Sequence, residues 1–225
     1  MGIVTEQRKA RRGDQLREHI LWTAKDVFLE MGFERASMDV VSARAETSKR
    51  SLYAHFESKE KLFLAMIELV RGLFLARLKM PADYGDDPAE ALVMFCGRYL
   101  DSLHYQPTIQ MCRITMAESA RFPEAAARYF DVVFAEAEAR LSAYLATTFA
   151  LSDAAGAEAA RRLLGRVLHP RFPRALFGLD PLATRFGDEK LTGVDLGPIR
   201  EAVAEVIGSL EARAGSARAG DRGSG

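Results

Sequence analysis

"AETSKRSLYAHFESKEKLF", residues 45–63, is the stretch on which the fold turns. Its first half is short and polar, and it lies between two more apolar segments. Lys49, Arg50, Ser51, Tyr53 and His55 crowd into seven residues, with Leu52 and Phe56 four apart beside them. That spacing puts the two apolar side chains on one face of a helix and leaves the others outside. Ser48 is placed to cap such a helix over Lys49–His55, and Ser58 to cap the next one. A merely solvated face gives no reason for an outward tyrosine.

Working upstream, Ser37 caps another short helix reaching about Ala45, with Met38, Val40 and Val41 turned inward. Before it, a helix from about Asp14 to Met31 repeats Leu16, Ile20, Trp22, Ala24, Val27, Phe28 and Met31 at three-to-four spacing. Gly32 is its expected stop. Two short helices joined by a two-to-three-residue turn have the spacing of a helix-turn-helix. The outward groups are cations, a hydroxyl and rings with polar tips. Such groups contact phosphates and base edges, and the DNA major groove admits one helix.

"SKRSLYAHFESKEKLF" resembles the signature of the TetR family of transcriptional regulators, with its Leu-Tyr-x-x-Phe-x-x-Lys-x-x-Leu core at Leu52, Tyr53, Phe56, Lys59 and Leu62. "ILWTAKDVFLEMGFERASMDVVSARA" is similar to the family's first two helices, so the resemblance covers about residues 14–63. It implies that the third helix enters the major groove. Lys49, Arg50 and Ser51 would then face bases or nearby phosphates, with Thr47 and Ser48 at the turn. Tyr53 and His55 would grip the backbone. Lys59 would add its ammonium at the start of the fourth helix, and Ser37 a further phosphate contact. Two positions depart from the family pattern. Glu46 stands where glycine is common, and Arg50 where a small residue is common. The basic run at Arg8–Arg12 precedes the first helix, and Arg11 and Arg12 are its candidates for a DNA-contacting arm.

Beyond Met80-Pro81 and the turn-rich "PADYGDDP" the helices lengthen. Asp87 caps and Pro88 starts one reaching about His104. "QPTIQMCRITMAESARF" is the next, stopped before Pro123. "PEAAARYFDVVFAEAEARLSAYLATTFAL" reads as one long amphipathic helix with Phe130, Val133, Phe134, Ala137, Leu141, Tyr144 and Leu145 on one stripe. Ser152 caps another through about Leu168, a short helix fits "HPRFPRALFGLDP", and "GPIREAVAEVIGSLEAR" closes the fold. "CRITMAESARFPEAAARYFD", about residues 112–131, resembles a TetR subgroup in which a Glu-x-x-Arg-Phe-Pro junction leads into a long helix.

In that family the later helices hold an effector. The resemblance gives Phe95, Tyr99, Leu103, Met111, Met116, Phe130 and Phe134 as an apolar lining, with Arg98, His104, Arg113 and Glu118 for polar orientation. The same residues also suit an ordinary core. Specific DNA binding asks for two recognition helices about 34–36 Å apart, hence a homodimer. Its expected surface is the apolar stripe of Leu163, Leu164, Val167, Val203, Ile207 and Leu210.

The charge pattern agrees. Formal net charge is zero, but residues 1–62 hold twelve Lys/Arg against ten Asp/Glu, and residues 81–160 hold five against twelve. No apolar run reaches about 18 residues, so no membrane span is expected. The N-terminus lacks a secretory apolar stretch, which points to the cytoplasm. Cys96 and Cys112 make neither a disulfide framework nor a zinc spacing, although a redox pair is an alternative to two buried thiols. His19, His55, His104 and His169 show no ligand spacing, so neither metal nor cofactor is expected. No convergent nucleophile and base mark an enzyme.

The expectation is an all-α chain. A flexible basic arm (1–13) leads to a helix-turn-helix domain (14–60), a ligand-binding and dimerisation domain (61–213) and a disordered tail (214–225). It would act as a repressor on double-stranded operator DNA, released by a small hydrophobic or aromatic molecule. An activator, a redox-responsive regulator and a helical protein-interaction module are the alternatives.

Overall fold

The computed structural model describes residues 2–187, 191 and 193–221, with side chains described within 12–187, 191 and 193–212. The helices in chain order are α1 (Gly2–Arg35), α2 (Met38–Arg44), α3 (Lys49–His55), α4 (Lys59–Arg77), α5 (Pro88–His104), α6 (Gln106–Ala117), α7 (Pro123–Phe130), α8 (Glu136–Thr148), α9 (Asp153–Leu168), α10 (Arg171–Leu176) and α11 (Gly197–Asp221). A 3₁₀ turn spans Pro81–Tyr84 and a π-turn Asp131–Ala135. Among the described residues there is no strand, only an isolated parallel bridge between Tyr105 and Ala183. The fold is all-α, as the composition and periodicity imply. No helix among the described residues is long and apolar enough to cross a membrane.

The chain forms two compact units. One comprises Met1–Leu73 with Gln110–Tyr129, the other Phe74–Ile109 with Phe130–Gly225. The unit holding the helix-turn-helix therefore reaches past residue 60 and takes in a later stretch of chain.

In this first unit the cap signals hold. The Ser37 hydroxyl accepts from the Val40 amide at 3.2 Å, Ser48 from Ser51 at 3.1 Å and Ser58 from Lys61 at 3.3 Å. Gly32, at φ 75° and ψ 170°, interrupts α1 where a stop was expected. Its start differs. The backbone of residues 2–13, expected as a flexible arm, is helical, because Gln7 to Arg12 are all good helix formers and Gly13 alone does not break them. Trp22 is not core. It is 36% exposed beside the Lys25 ammonium, and Leu21 is buried in its place. A stripe through Ile20, Ala24, Val27 and Phe28 passes Leu21 and misses Trp22. On α2 the buried residues are Met38, Val41 and Ser42, with Val40 half-buried.

The core of this unit is aromatic. Phe28, Phe33, Phe63 and Phe122 pack with ring centroids 4.9–6.0 Å apart. Phe122 comes from the α6–α7 turn. Helix α6 ends at Ala117, earlier than expected, because the ring of Pro123 forbids a regular turn just before it. The Arg121 and Phe122 amides both donate to the Glu118 carbonyl, closing a tight turn.

In the second unit Asp87 caps α5 through the Ala89 and Glu90 amides, and Ser152 caps α9 through Ala155. The expected single long helix is broken by the π-turn. Its wider turn resets the phase, so Tyr129, Val132 and Val133 are buried while Phe130, expected inward, is 57% exposed. Helix α11 continues to Asp221, so residues 214–221, expected as disordered tail, have a helical backbone. Ala and Arg there favour continuation, and residues 222–225 lie outside the described residues.

Candidate nucleic-acid interface

Helix α3 buries one residue, Leu52, and its cap Phe56 is buried beside it. The Arg17 guanidinium lies 5.0 Å from the Phe56 ring, anchoring the end of α3 to α1. Burying a leucine stabilises by about 1.5–3 kcal/mol, so a seven-residue helix is held by one side and left free on the other. Lys49, Arg50 and Tyr53 are exposed, Tyr53 at 48%, and Ser51 and His55 are half-buried at the rim. Thr47 is half-buried and Ser48 exposed at the turn. Lys49, Arg50 and Tyr53 share one accessible face, and Ser51 and His55 lie on the other side of Leu52. Arg12 is exposed, and the side chain of Arg11 lies outside the described residues.

The turn answers the question raised by Glu46. It adopts φ 48°, the left-handed conformation that glycine takes most readily. Its amide donates to Ala43, and Thr47 donates to Ser42, closing α2.

Two side chains behave in ways the sequence did not announce. Lys59 does not project its ammonium outward. Its Nζ donates to the carbonyls of Phe33 (2.9 Å), Ala36 (3.0 Å) and Glu34 (3.3 Å), and lies 4.3 Å from the Phe33 ring centroid. Three donors meet three acceptors, so Lys59 ties the end of α1 to the start of α4 rather than offering itself to phosphate. Lys49 donates to Asp39 Oδ2 at 2.8 Å across the turn, and the hydrogen bond with the carboxylate raises the lysine pKa.

The fingerprints of known proteins match here. The profile described as "Bacterial regulatory proteins, tetR family" matches residues 20–66, and "AefR-like transcriptional repressor, C-terminal domain" matches residues 90–190. The chain belongs to the TetR family. Among relatives, the HTH-type transcriptional repressor NicS of Pseudomonas putida is 35% identical over 85 residues, 37% of this chain and 40% of NicS. The regulator UidR of Escherichia coli is 34% identical over 116 residues, 49% of this chain and 55% of UidR. The matched part thus spans about half or less of these relatives. The solved structure of the flavonoid-responsive regulator FrrA superposes with TM-score 0.64 at 26% identity, covering 88% of this chain and 95% of that one.

The Glu-x-x-Arg-Phe-Pro junction of this TetR-family chain has a visible structural job. Arg121 pairs with Glu34 at 3.0 Å and Glu60 at 3.5 Å, with its guanidinium 4.8 Å from the Phe33 ring. It closes over the aromatic cluster that Phe122 completes.

The effector candidates are scattered. Phe95, Tyr99 and Leu103 are fully buried in the second unit, and the Tyr99 hydroxyl donates to the Val133 carbonyl at 2.9 Å. Phe134 is half-buried between the rings of Phe130 and Phe172. Met111 is buried in the first unit, whereas Met116 is 52% exposed there, on the outer side of α6. Of the polar candidates, Arg98 is committed to a buried pair with Asp101 at 3.2 Å, and the His104 Nδ1 lies 3.1 Å from the Leu100 carbonyl. Arg113 is exposed and Glu118 half-buried. A cleft of about 300 Å³ runs between α4 and α7 of the first unit, lined by Lys61, Leu64, Ala65, Glu68, Glu124, Ala125 and Arg128. None of these was singled out from sequence, because alternating charges give no apolar signal.

The predicted dimer residues need correcting. Leu163, Leu164, Val167, Val203 and Leu210 are buried by their own chain, and Ile207 is half-buried. Helix α9 packs on α8 and α11, so the apolar stripes satisfy each other. The exposed side of these two helices is the opposite one, along Ala154, Glu158, Arg161 and Gly165 of α9 and Glu201, Ala204, Gly208 and Glu211 of α11. The two thiols are buried, which pushes Cys96 up to about 12 and Cys112 to about 11. Both stay protonated at neutral pH, a poor state for redox signalling.

Proposed function

We propose that the protein is a cytoplasmic, homodimeric repressor that binds double-stranded operator DNA and leaves it when a small hydrophobic or aromatic effector binds. The observation that carries this reading is α3, a capped helix with one apolar anchor and an exposed face of Lys49, Arg50 and Tyr53. In the groove, Lys49, Arg50 and Ser51 meet base edges or adjacent phosphates, and Tyr53, His55, Ser37, Thr47 and Ser48 grip the backbone. Two copies read successive major grooves. The exposed sides of α9 and α11, which include the small residues Ala154, Gly165, Ala204 and Gly208, are the faces offered to the second copy. The effector acts by population shift, binding more tightly to the form that does not fit DNA. Repression is supported by the naming of NicS and of the matched C-terminal profile, and an aromatic effector by the naming of FrrA.

The test is a mobility-shift titration on DNA from upstream of the protein's own coding sequence, over a salt series. Tyr53→Phe is expected to weaken binding about fivefold, the worth of one hydrogen bond, without changing the melting temperature. Arg50→Ala is expected to weaken it more and flatten the salt dependence. If both variants bind as tightly as the parent at every salt, α3 is not in the groove.

A further inference from the structure

The front of α3 carries two adjacent cations with different surroundings. Arg50 makes no ion pair among the described residues, whereas Lys49 is held by Asp39 of α2 at 2.8 Å. Both partners of this pair are about two-thirds exposed, the lysine at 63% and the aspartate at 65%. A carboxylate in the first turn suits the helix dipole, but the exposed pair it makes with Lys49 contributes little to stability. Its effect lies in what happens when a polyanion approaches. Asp39 stands in the first turn of α2, two residues from the Ser37 cap, and Lys49 is the first residue of α3.

We propose that Asp39 is a specificity-determining residue, which withholds the Lys49 ammonium from DNA phosphate and releases it only to a base edge that competes for it. This rests on the reading of α3 as the recognition helix. A free lysine at this position clamps any phosphate, and every such clamp tightens binding to all sequences alike. With Asp39 in place, a phosphate must both displace the carboxylate and tolerate its charge. A guanine, presenting O6 and N7 as neutral acceptors in the major groove, shares the ammonium without that repulsion. Lys49 thereby reads sequence, and Arg50 supplies the electrostatic attraction. Asp39 itself touches no base. It acts through the lysine and through its charge.

The variants are Asp39→Asn, which keeps the size and an acceptor but removes the charge, and Lys49→Met. The probes are a duplex recovered by the parent protein from a randomised pool, and a scrambled duplex of equal composition. Affinities are measured by fluorescence anisotropy over a salt series, with melting temperatures alongside. Asp39→Asn is expected to bind the scrambled duplex about fivefold more tightly, with a salt slope steeper by about one. The ratio of recovered to scrambled affinity is expected to fall at least about fivefold, the low end for one base contact, at unchanged melting temperature. In a Lys49→Met background, Asp39→Asn is expected to leave the ratio unchanged. A ratio that stays within about twofold of the parent's in the single variant overturns the proposal. So does an equal weakening on both duplexes with a lowered melting temperature, which marks Asp39 as structural. The underlying reading fails separately, if Lys49→Met and Arg50→Ala both leave affinity for the recovered duplex intact.

Discussion

Helices α3 and α5 both carry charge, and they use it in opposite ways. In α3, seven residues bury only Leu52, and the cations stand in water where a pair is weak and exchangeable. In α5, seventeen residues bury twelve, including Arg98 and Asp101. There the ion pair is enclosed, and Arg98 also donates to the Gly187 carbonyl at 3.3 Å. The Phe186 ring lies 5.5 Å from Arg98 and 4.4 Å from Arg77, and the neighbouring Ala183 exchanges backbone hydrogen bonds with His104 and Gln106. The buried pair thus straps an irregular segment onto the α5–α6 junction, where no regular ladder holds it. An exposed charge is available to a partner, and a buried one is committed to the chain.

The largest effect expected from breaking this contrast is at Arg98. Arg98→Ala leaves the Asp101 carboxylate buried without its guanidinium and is expected to cost about 3–5 kcal/mol in urea unfolding. A loss below about 1 kcal/mol would put α5's charges in the same class as α3's. Next is Lys59, which the geometry assigns to the scaffold although it lies in the family signature. Lys59→Met is expected to cost about 2 kcal/mol by stranding the Phe33, Glu34 and Ala36 carbonyls, with no change in the salt slope of DNA binding. A slope shallower by about one would return Lys59 to the phosphate. The smallest effect is at Glu46. Glu46→Gly relieves a left-handed side chain and is expected to stabilise by about 0.5–1 kcal/mol, read as a rise in melting temperature. A fall instead would mean that the glutamate side chain stabilises the turn.

How far the sequence reaches depends on where a signal originates. Helix α3 was legible to the residue, because Ser48, Leu52 and Phe56 are all local to it. The occupancy of Lys59 was not, because its acceptors lie 23 to 26 residues upstream and are backbone atoms with no sequence signature. Phe130 was misplaced because a π-turn changes the helical phase without altering composition. The apolar stripes of α9 and α11 were correctly found and wrongly assigned. Periodicity shows that a face is buried, and does not show whether the same chain or another copy buries it. Asp39 escaped notice because a lone acidic residue in a first helical turn is common, and its partner lies on the next helix.

The Arg121–Phe122 junction has a consequence for modularity. A hybrid protein that joins the helix-turn-helix of this chain to another sequence needs a cut point. A cut at residue 60 would split the first unit. Phe28 and Phe33 would lose Phe63, Phe33 would also lose Phe122, and Glu34 and Glu60 would lose Arg121. The transplantable piece is discontinuous in sequence, residues 1–73 together with 110–129. A workable chimera must carry the aromatic plug along with the helices it seals, or import a turn with the same Arg-Phe pair.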